Sequence, residues 1–269
     1  MTIKLIATDI DGTLVKDNKE ISEYTINTLK KAHANGVHIV LCTGRPVSGV
    51  QNYLTQLGLT SANDYVITYN GAQVQKVGNN EVLISNTLDY TDFLTLDNLS
   101  HQLNIHGQAI LPSSDMYVTT PDISYYSVLD SFYTKMPLHY RLQNEIPHTF
   151  KPAKYMWADE PHILQRATTG LPPAIKNKYY TVRSEKWFFE FMHPDATKGN
   201  ATLKLAKMLG IDVSEILTAG DQENDLTLIK TGLGIAMGNA IPKIKSSAQY
   251  ITDDNNHDGL AKAIEKFVL

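Results

Sequence analysis

Cysteine is nearly absent: Cys42 is the only one among 269 residues. An intrachain disulfide and a cysteine-based zinc site are therefore excluded. A lone thiol also agrees with a reducing compartment. No apolar run approaches the ~18 residues that a membrane-spanning helix needs, so no membrane partner is expected. The N-terminus lacks the charged, apolar, small-residue succession of a signal peptide. Its first apolar segment, residues 3–10, leads instead into chemically promising acids, and a cytoplasmic location is expected. There is no basic face either. Net charge is −4, from 24 basic and 28 acidic residues that are well mixed. A nucleic-acid partner is not expected from such a pattern. The nine histidines are scattered without metal-ligand spacing. Internal repeats and low-complexity tracts are missing. What is present is an ordinary globular composition, 42% hydrophobic and 19% charged, long enough for one large domain or two smaller ones.

The N-terminal third alternates strand-like and helix-like segments. Residues 3–9 form a short β-type run that ends in acids and Gly12. Ser22 suits the cap of a helix carrying Ile26 and Leu29, and Gly36 suits its stop. Residues 37–43 are a near-continuous apolar run, as expected of a strand buried on both faces. Pro46 suits the first turn of a helix reaching Leu57, with Gly58 after it. Residues 65–69 read as another strand, ending at Asn70-Gly71. The C-terminal part repeats the rhythm: helix 197–209, strand 215–219, helix 226–231, strand 234–237, helix 259–267. Such alternation implies an α/β protein whose parallel sheet carries helices on both faces.

The middle differs. It is rich in Tyr, His and Pro and lacks acids after its strands. Residues 90–103 and 161–169 read as helices, and 154–157, 179–183 and 187–192 as strands. This predicts an α+β domain inserted into the first. The expected division is 1–85 and 193–269 for the core and 86–192 for the insert. One continuous large domain is the alternative.

Four clusters could carry chemistry, each where a strand ends or a helix begins. In open parallel sheets ligands bind at that edge. The first is Asp9-Ile10-Asp11-Gly12-Thr13. A carboxylate can attack phosphorus to give an acyl-phosphate, and a second acid nearby can exchange protons with the leaving oxygen and with water. By itself the string also fits an acidic turn, a helix cap or a calcium loop. The second is Thr43-Gly44-Arg45-Pro46, where a hydroxyl, bare backbone and a helix N-terminus converge, as at phosphate sites. A plain β-to-α turn is the alternative. The third is Lys198. A cation sits badly in a helix's first turn, which hints at a bound anion, although a solvated surface lysine fits too. The fourth is Gly220-Asp221-Gln222-Glu223-Asn224-Asp225. Mg²⁺ takes a few oxygen ligands from protein and keeps several waters, and Asp9 and Asp221 could supply them. An N-terminal capping cluster is the alternative.

In this order and at these element ends, the four clusters together resemble the motifs of the haloacid dehalogenase-like superfamily. The resemblance covers essentially the whole chain. It implies a Rossmann-like core with an inserted α+β cap domain. It makes Asp9 the nucleophile and a Mg²⁺ ligand, and Asp11 the general acid/base whose main-chain oxygen meets the metal. Ile10, Thr43, Gly44 and Arg45 are placed beside the phosphate, and Asn224 in contact with it. Lys198 offsets charge on nucleophile and substrate, Asp221 ligates Mg²⁺, and Asp225 steadies the metal shell. Dehalogenases of the superfamily lack an acid at the Asp11 position, so the chain looks like a phosphatase. An insert between the second and third motifs is similar to the type-two cap. Asn70-Gly71-Ala72, Lys198-Gly199, Gly238-Asn239-Ala240 and Asp258-Gly259 look like the Cof-type branch, which includes YidA-like sugar phosphatases. The expected partner is a small-molecule phosphate ester, sugar phosphates first and nucleotide or cofactor phosphates behind them. Residues 103–150 match nothing that could be carried over.

Cys42 reads as a core residue. His193 reads as a surface or packing residue rather than a substrate contact, and Tyr125-Tyr126 and Trp187-Phe188-Phe189 read as core of the insert rather than stacking platforms. A sugar-phosphate mutase on the same scaffold is the nearest rival. A receiver-type signalling domain is a second, but it is about half this length and lacks the Asp-x-Asp pair. A decayed, non-catalytic relative is a third, though no motif residue is missing. The sequence does not fix the oligomeric state.

Overall fold

The computed structural model of the chain describes residues 2–269. Its first sheet has eight strands in the order Tyr250–Ile251, Leu233–Ala236, Ile216–Gly220, Leu5–Thr8, His38–Cys42, Tyr65–Thr68, Gln73–Lys76 and Val82–Ser85. All neighbours from Tyr250–Ile251 to Tyr65–Thr68 pair in parallel. The last two strands extend the edge antiparallel. Sequence reading did not anticipate that hairpin.

The inner strands Leu5–Thr8, His38–Cys42, Tyr65–Thr68 and Ile216–Gly220 are buried on both faces, which is why those runs read as continuously apolar rather than alternating. Ile6, Ile39, Leu41 and Leu217 pack on one side with Leu29, Leu54, Leu260 and Ile264, from helices Glu23–Ala34, Gln51–Leu57 and Gly259–Phe267. Leu5, Ala7, Val40 and Ile216 point to the other side, toward Ala201, Leu205 and Leu228 of helices Lys198–Met208 and Leu226–Ile229. Cys42 belongs to that second layer and is fully buried, where burial pushes its thiol up to about 12. It is a core residue, not a nucleophile.

Helix boundaries follow their caps. The Ser22 side chain accepts from the Thr25 N–H and starts the first helix. The segment after Pro46 departs from expectation. Val47–Gly49 is a 3₁₀ turn, and the α-helix starts only at Gln51. Gly58 closes it in the left-handed conformation.

The chain separates into two compact units, residues 2–85 with Thr197–Leu269, and Asn86–Ala196. The second has its own six-stranded sheet, ordered Tyr180–Glu185, Phe188–Met192, Lys154–Ala158, Gly107–Ile110, Met116–Val118 and Leu138–Tyr140. Its core joins Phe93, Leu96, Tyr155, Trp157, Leu164 and Phe191. The aromatic tips are satisfied: Trp157 Nε1 donates to Ser100 Oγ at 2.8 Å, and the Tyr155 hydroxyl donates to Asp97 at 3.0 Å. Gly107 has no alternative, because a Cβ there would lie 1.8 Å from the Tyr155 oxygen. Among the described residues no helix is long and apolar enough to cross a membrane.

One topological feature positions the chemistry. From Leu5–Thr8 the sheet grows toward His38–Cys42 on one side and toward Ile216–Gly220 on the other. The strand order reverses between Leu5–Thr8 and Ile216–Gly220, so their C-terminal ends frame the crevice where α/β sheets bind ligands. Asp9 and Asp221 are the next residues on those two strands.

Candidate active site

Asp9 extends its strand by one ladder bond, its N–H donating to the Ala219 carbonyl at 3.0 Å. The side chain is buried, and Oδ1 accepts from Lys198 Nζ at 2.6 Å. Lys198 opens a helix whose Thr197 cap accepts the Asn200 N–H. Its ammonium is wholly buried and also donates to Asp225 Oδ1 at 2.6 Å. That explains the misplaced cation: carboxylates, not solvent, hold it. Burial opposes the charge of Lys198, but Asp225 and Asp9 overcome this and raise its pKa.

Asp225 has both oxygens committed. Oδ1 takes Lys198, and Oδ2 accepts the backbone N–H groups of Asp221 and Gln222 at 2.9 and 3.0 Å. Asp221 Oδ1 accepts from the Thr13 hydroxyl at 2.9 Å. One carboxylate oxygen each of Asp9, Asp221 and Asp225 lies within 4.8 Å of the others. Three acids thus face one lysine. Burial first, then Asp225, pushes the Asp9 carboxyl up to about 8 although Lys198 pulls the other way; burial and Asp225 likewise lift Asp221 to about 6. Crowded, desolvated carboxylate oxygens short of positive charge fit a hard divalent cation. Because Asp225 is spent on Lys198 and backbone, Asp9 and Asp221 are the side chains suited to hold such an ion.

Gly12 makes the approach possible. Its φ is +75°, and a Cβ would lie 2.5 Å from Asp221 Oδ2. Gly12→Ala therefore meets a left-handed backbone, costing about 1–2 kcal/mol, and displaces Asp221. The variant should unfold several degrees lower and lose activity. Thermal unfolding and initial-rate assays check this.

Asp11 does not join the cluster of three. It is held in a fork by Arg45, Nε to Oδ2 at 3.0 Å and Nη2 to Oδ1 at 2.7 Å, with Lys19 Nζ on Oδ1 at 2.9 Å. Burial raises its pKa, but Arg45 and Lys19 outweigh burial and hold it below the ordinary value. Ile10 is split in role. Its side chain belongs to the core, and its carbonyl accepts three N–H groups, from Thr13, Leu14 and Val15. Only its main chain borders the site. Thr43 is buried, with its hydroxyl accepting the Arg45 N–H at 3.1 Å. Gly44 lies against the Asn70 amide, and Asn224 Nδ2 donates to Asn70 Oδ1 at 3.1 Å.

Thus Asp9, Asp221, Asp225 and Lys198 form one contact cluster, Asp11 and Arg45 a second, and Thr43, Gly44 and Asn224 approach a third around Asn70. Sequence reading missed Thr13, Lys19, Asn70 as a site residue, and Asn239, whose amide donates to the Gly12 carbonyl at 2.8 Å. Thr13 stood next to Gly12 in the first motif. Lys19 gave no signal, lying in an exposed polar loop.

The haloacid dehalogenase-like hydrolase family model matches residues 6–264. The chain belongs to that family. It is 45% identical over 267 residues to "Putative phosphatase YxeH" of Bacillus subtilis, covering 99% of this chain and 98% of that protein. It is 29% identical over 272 residues to the 5-amino-6-(5-phospho-D-ribitylamino)uracil phosphatase YcsE of the same organism, covering 99% and 96%. The crystal structure of a haloacid dehalogenase-like hydrolase from Bacteroides thetaiotaomicron superposes with a TM-score of 0.85 at 28% identity, covering 98% of this chain and 99% of that one. The expected α/β class and family resemblance are thereby met. The chain is a phosphoric monoester hydrolase of the haloacid dehalogenase-like family.

Proposed function

We propose that the protein is a Mg²⁺-dependent phosphatase of small phosphorylated metabolites, sugar phosphates first, working in the cytoplasm through a phospho-Asp9 intermediate. The observation that carries this reading is the buried Asp9–Lys198–Asp225 chain beside Asp221. Asp9 is fixed by one oxygen and keeps the other for phosphorus. Asp9 and Asp221 would hold Mg²⁺, with the Asp11 main chain assisting. When bound, the ion supplies positive charge to the phosphate oxygens and the attacking carboxylate.

In the first step an Asp9 oxygen bonds to phosphorus as the ester P–O bond breaks. The departing alcohol takes a proton from Asp11, which has first left the Arg45 fork and been protonated from solvent. In the second, water attacks phosphorus and passes a proton back to Asp11, and the Asp9–phosphate bond breaks to release orthophosphate. Thr43, Gly44 and Asn224 orient the phosphate, Lys198 keeps Asp9 aimed, and Asp225 keeps Lys198 in place. Asp11 must leave the Arg45 fork to serve as acid, which frees the guanidinium for a phosphate oxygen.

These core residues address phosphate alone, so the choice of ester is assigned to the inserted unit, Asn86–Ala196, which we read as a cap. The name of the Bacillus relative YcsE keeps other small phosphorylated metabolites in the class. A panel of phosphorylated metabolites, assayed for released phosphate with Mg²⁺ and again with chelator, tests the proposal. Sugar phosphates should be hydrolysed, with activity lost on chelation and restored by Mg²⁺. Isomerised product without phosphate would favour the mutase, and activity indifferent to chelator would overturn the metal assignment.

A further inference from the structure

We infer that Asn70 is a positioning residue for the phosphate, fixing the amide of Asn224 and the Thr43–Gly44 turn together. This rests on the phosphatase reading above, in which Asn224 contacts phosphate.

The segment that carries Asn70 is strained. Tyr69 and Asn70 have φ of +51° and +57°, followed by Gly71 at +101°. Three successive residues in the left-handed half of the map, two of them with side chains, persist only where surroundings over-determine them, and such strain concentrates at functional sites. The surroundings here are specific. The Asn70 N–H donates to the Thr43 carbonyl at 2.9 Å, and the Tyr69 N–H to the Arg45 carbonyl at 3.3 Å. The loop is thereby laced to the turn after His38–Cys42. A Cβ on Gly71 would lie 2.3 Å from the Thr197 carbonyl oxygen and 3.0 Å from the Lys198 nitrogen. The loop is thus pressed against the start of the lysine helix.

The Asn70 side chain is 1% exposed and lies against the phosphate turn. A Cβ on Gly44 would come within 3.2 Å of both its amide atoms. Its Oδ1 accepts one Asn224 N–H. An amide nitrogen has two N–H groups, so holding one fixes the plane of the other. That second N–H is the group available to a phosphate oxygen. Asparagine suits the task because it tolerates a left-handed φ and brings an acceptor. Asn70 therefore joins the phosphate turn to Asn224, while its neighbour Gly71 seats the loop on the lysine helix, and its assigned action on the phosphate runs through Asn224.

The test compares Asn70→Gly, Asn224→Ala and the double variant, with p-nitrophenyl phosphate as substrate and inorganic phosphate as competitive inhibitor. Glycine keeps the positive φ and deletes only the amide. Loss of one orienting hydrogen bond should weaken phosphate inhibition and raise KM about three- to ten-fold, more than it lowers kcat. The double variant should be no worse than Asn224→Ala, as for residues acting through one contact. Additive losses would overturn the inference. So would an unchanged phosphate inhibition constant in Asn70→Gly beside a raised one in Asn224→Ala, while the phosphatase reading survived. If Asn224→Ala changes neither KM nor phosphate inhibition, the Asn224 assignment falls and the inference with it. Should Asn70→Gly fold poorly, the thermal shift given by phosphate, read against each variant's own baseline in Asn70→Ser and Asn70→Gly, supplies the same comparison: a shift equal to wild type refutes the role.

Discussion

Asp9→Asn should lower kcat for phosphate-ester hydrolysis by about four orders of magnitude or more, the scale seen when a nucleophile is deleted from a covalent mechanism. The amide is nearly isosteric, so the pocket survives, but it cannot form an acyl-phosphate. Stability should move the other way. In wild type without metal, burial, Asp225 and Asp221 all oppose ionisation of Asp9, and only Lys198 favours it. A neutral amide at this position removes that penalty, while the Lys198–Asp225 bond at 2.6 Å remains. The metal-free variant should therefore unfold no lower than metal-free wild type. Rapid-quench trapping of phosphoprotein during turnover completes the test, with label in wild type and none in the variant. Hydrolysis by Asp9→Asn at the wild-type rate would remove Asp9 as nucleophile.

The core was legible because its signals are local. Residues 3–9 and 215–219 are apolar runs that stop at acids. Once two such strands are adjacent and parallel, Asp9 and Asp221 must share an edge. Lys198 was legible through a contradiction, a cation in a helix's first turn, which the two carboxylates resolve. Partnerships were not legible. Arg45 follows the phosphate turn, and nothing local said that its fork would close on Asp11, 34 positions earlier. Asn70 and Asn224 meet across 154 positions, and either amide alone reads as a loop residue.

The second unit hid its elements for a different reason. Gly107–Ile110 is a four-residue strand, too short to display a period. Helix Tyr125–Thr134 exposes Tyr125, Val128, Phe132 and Tyr133 and buries Ser127. Its polarity is inverted relative to an ordinary amphipathic helix, so a reader seeking an inward apolar stripe misplaces it. A helix such as Pro161–Thr169, which buries Leu164, was found at its observed bounds.

Lys198→Met should strongly destabilise the core. Methionine fills much of the same volume with a flexible apolar chain, so packing is nearly conserved and charge is the variable. Asp9 and Asp225 lose a shared ammonium at 2.6 Å from each, beside Asp221. Removing one partner of a buried ion pair costs about 3–5 kcal/mol, because the remaining charge has neither water nor counter-ion. Metal-free protein should thus unfold roughly 10 °C lower, and activity should fall with it, since Asp9 is no longer aimed. The double variant Lys198→Met/Asp225→Asn separates the effects. Neutralising Asp225 removes one uncompensated charge, so part of the lost thermal stability should return while activity stays low. A Lys198→Met protein as stable as wild type would mean that solvent reaches these carboxylates, and the buried triad would then cease to explain how Asp9 is held.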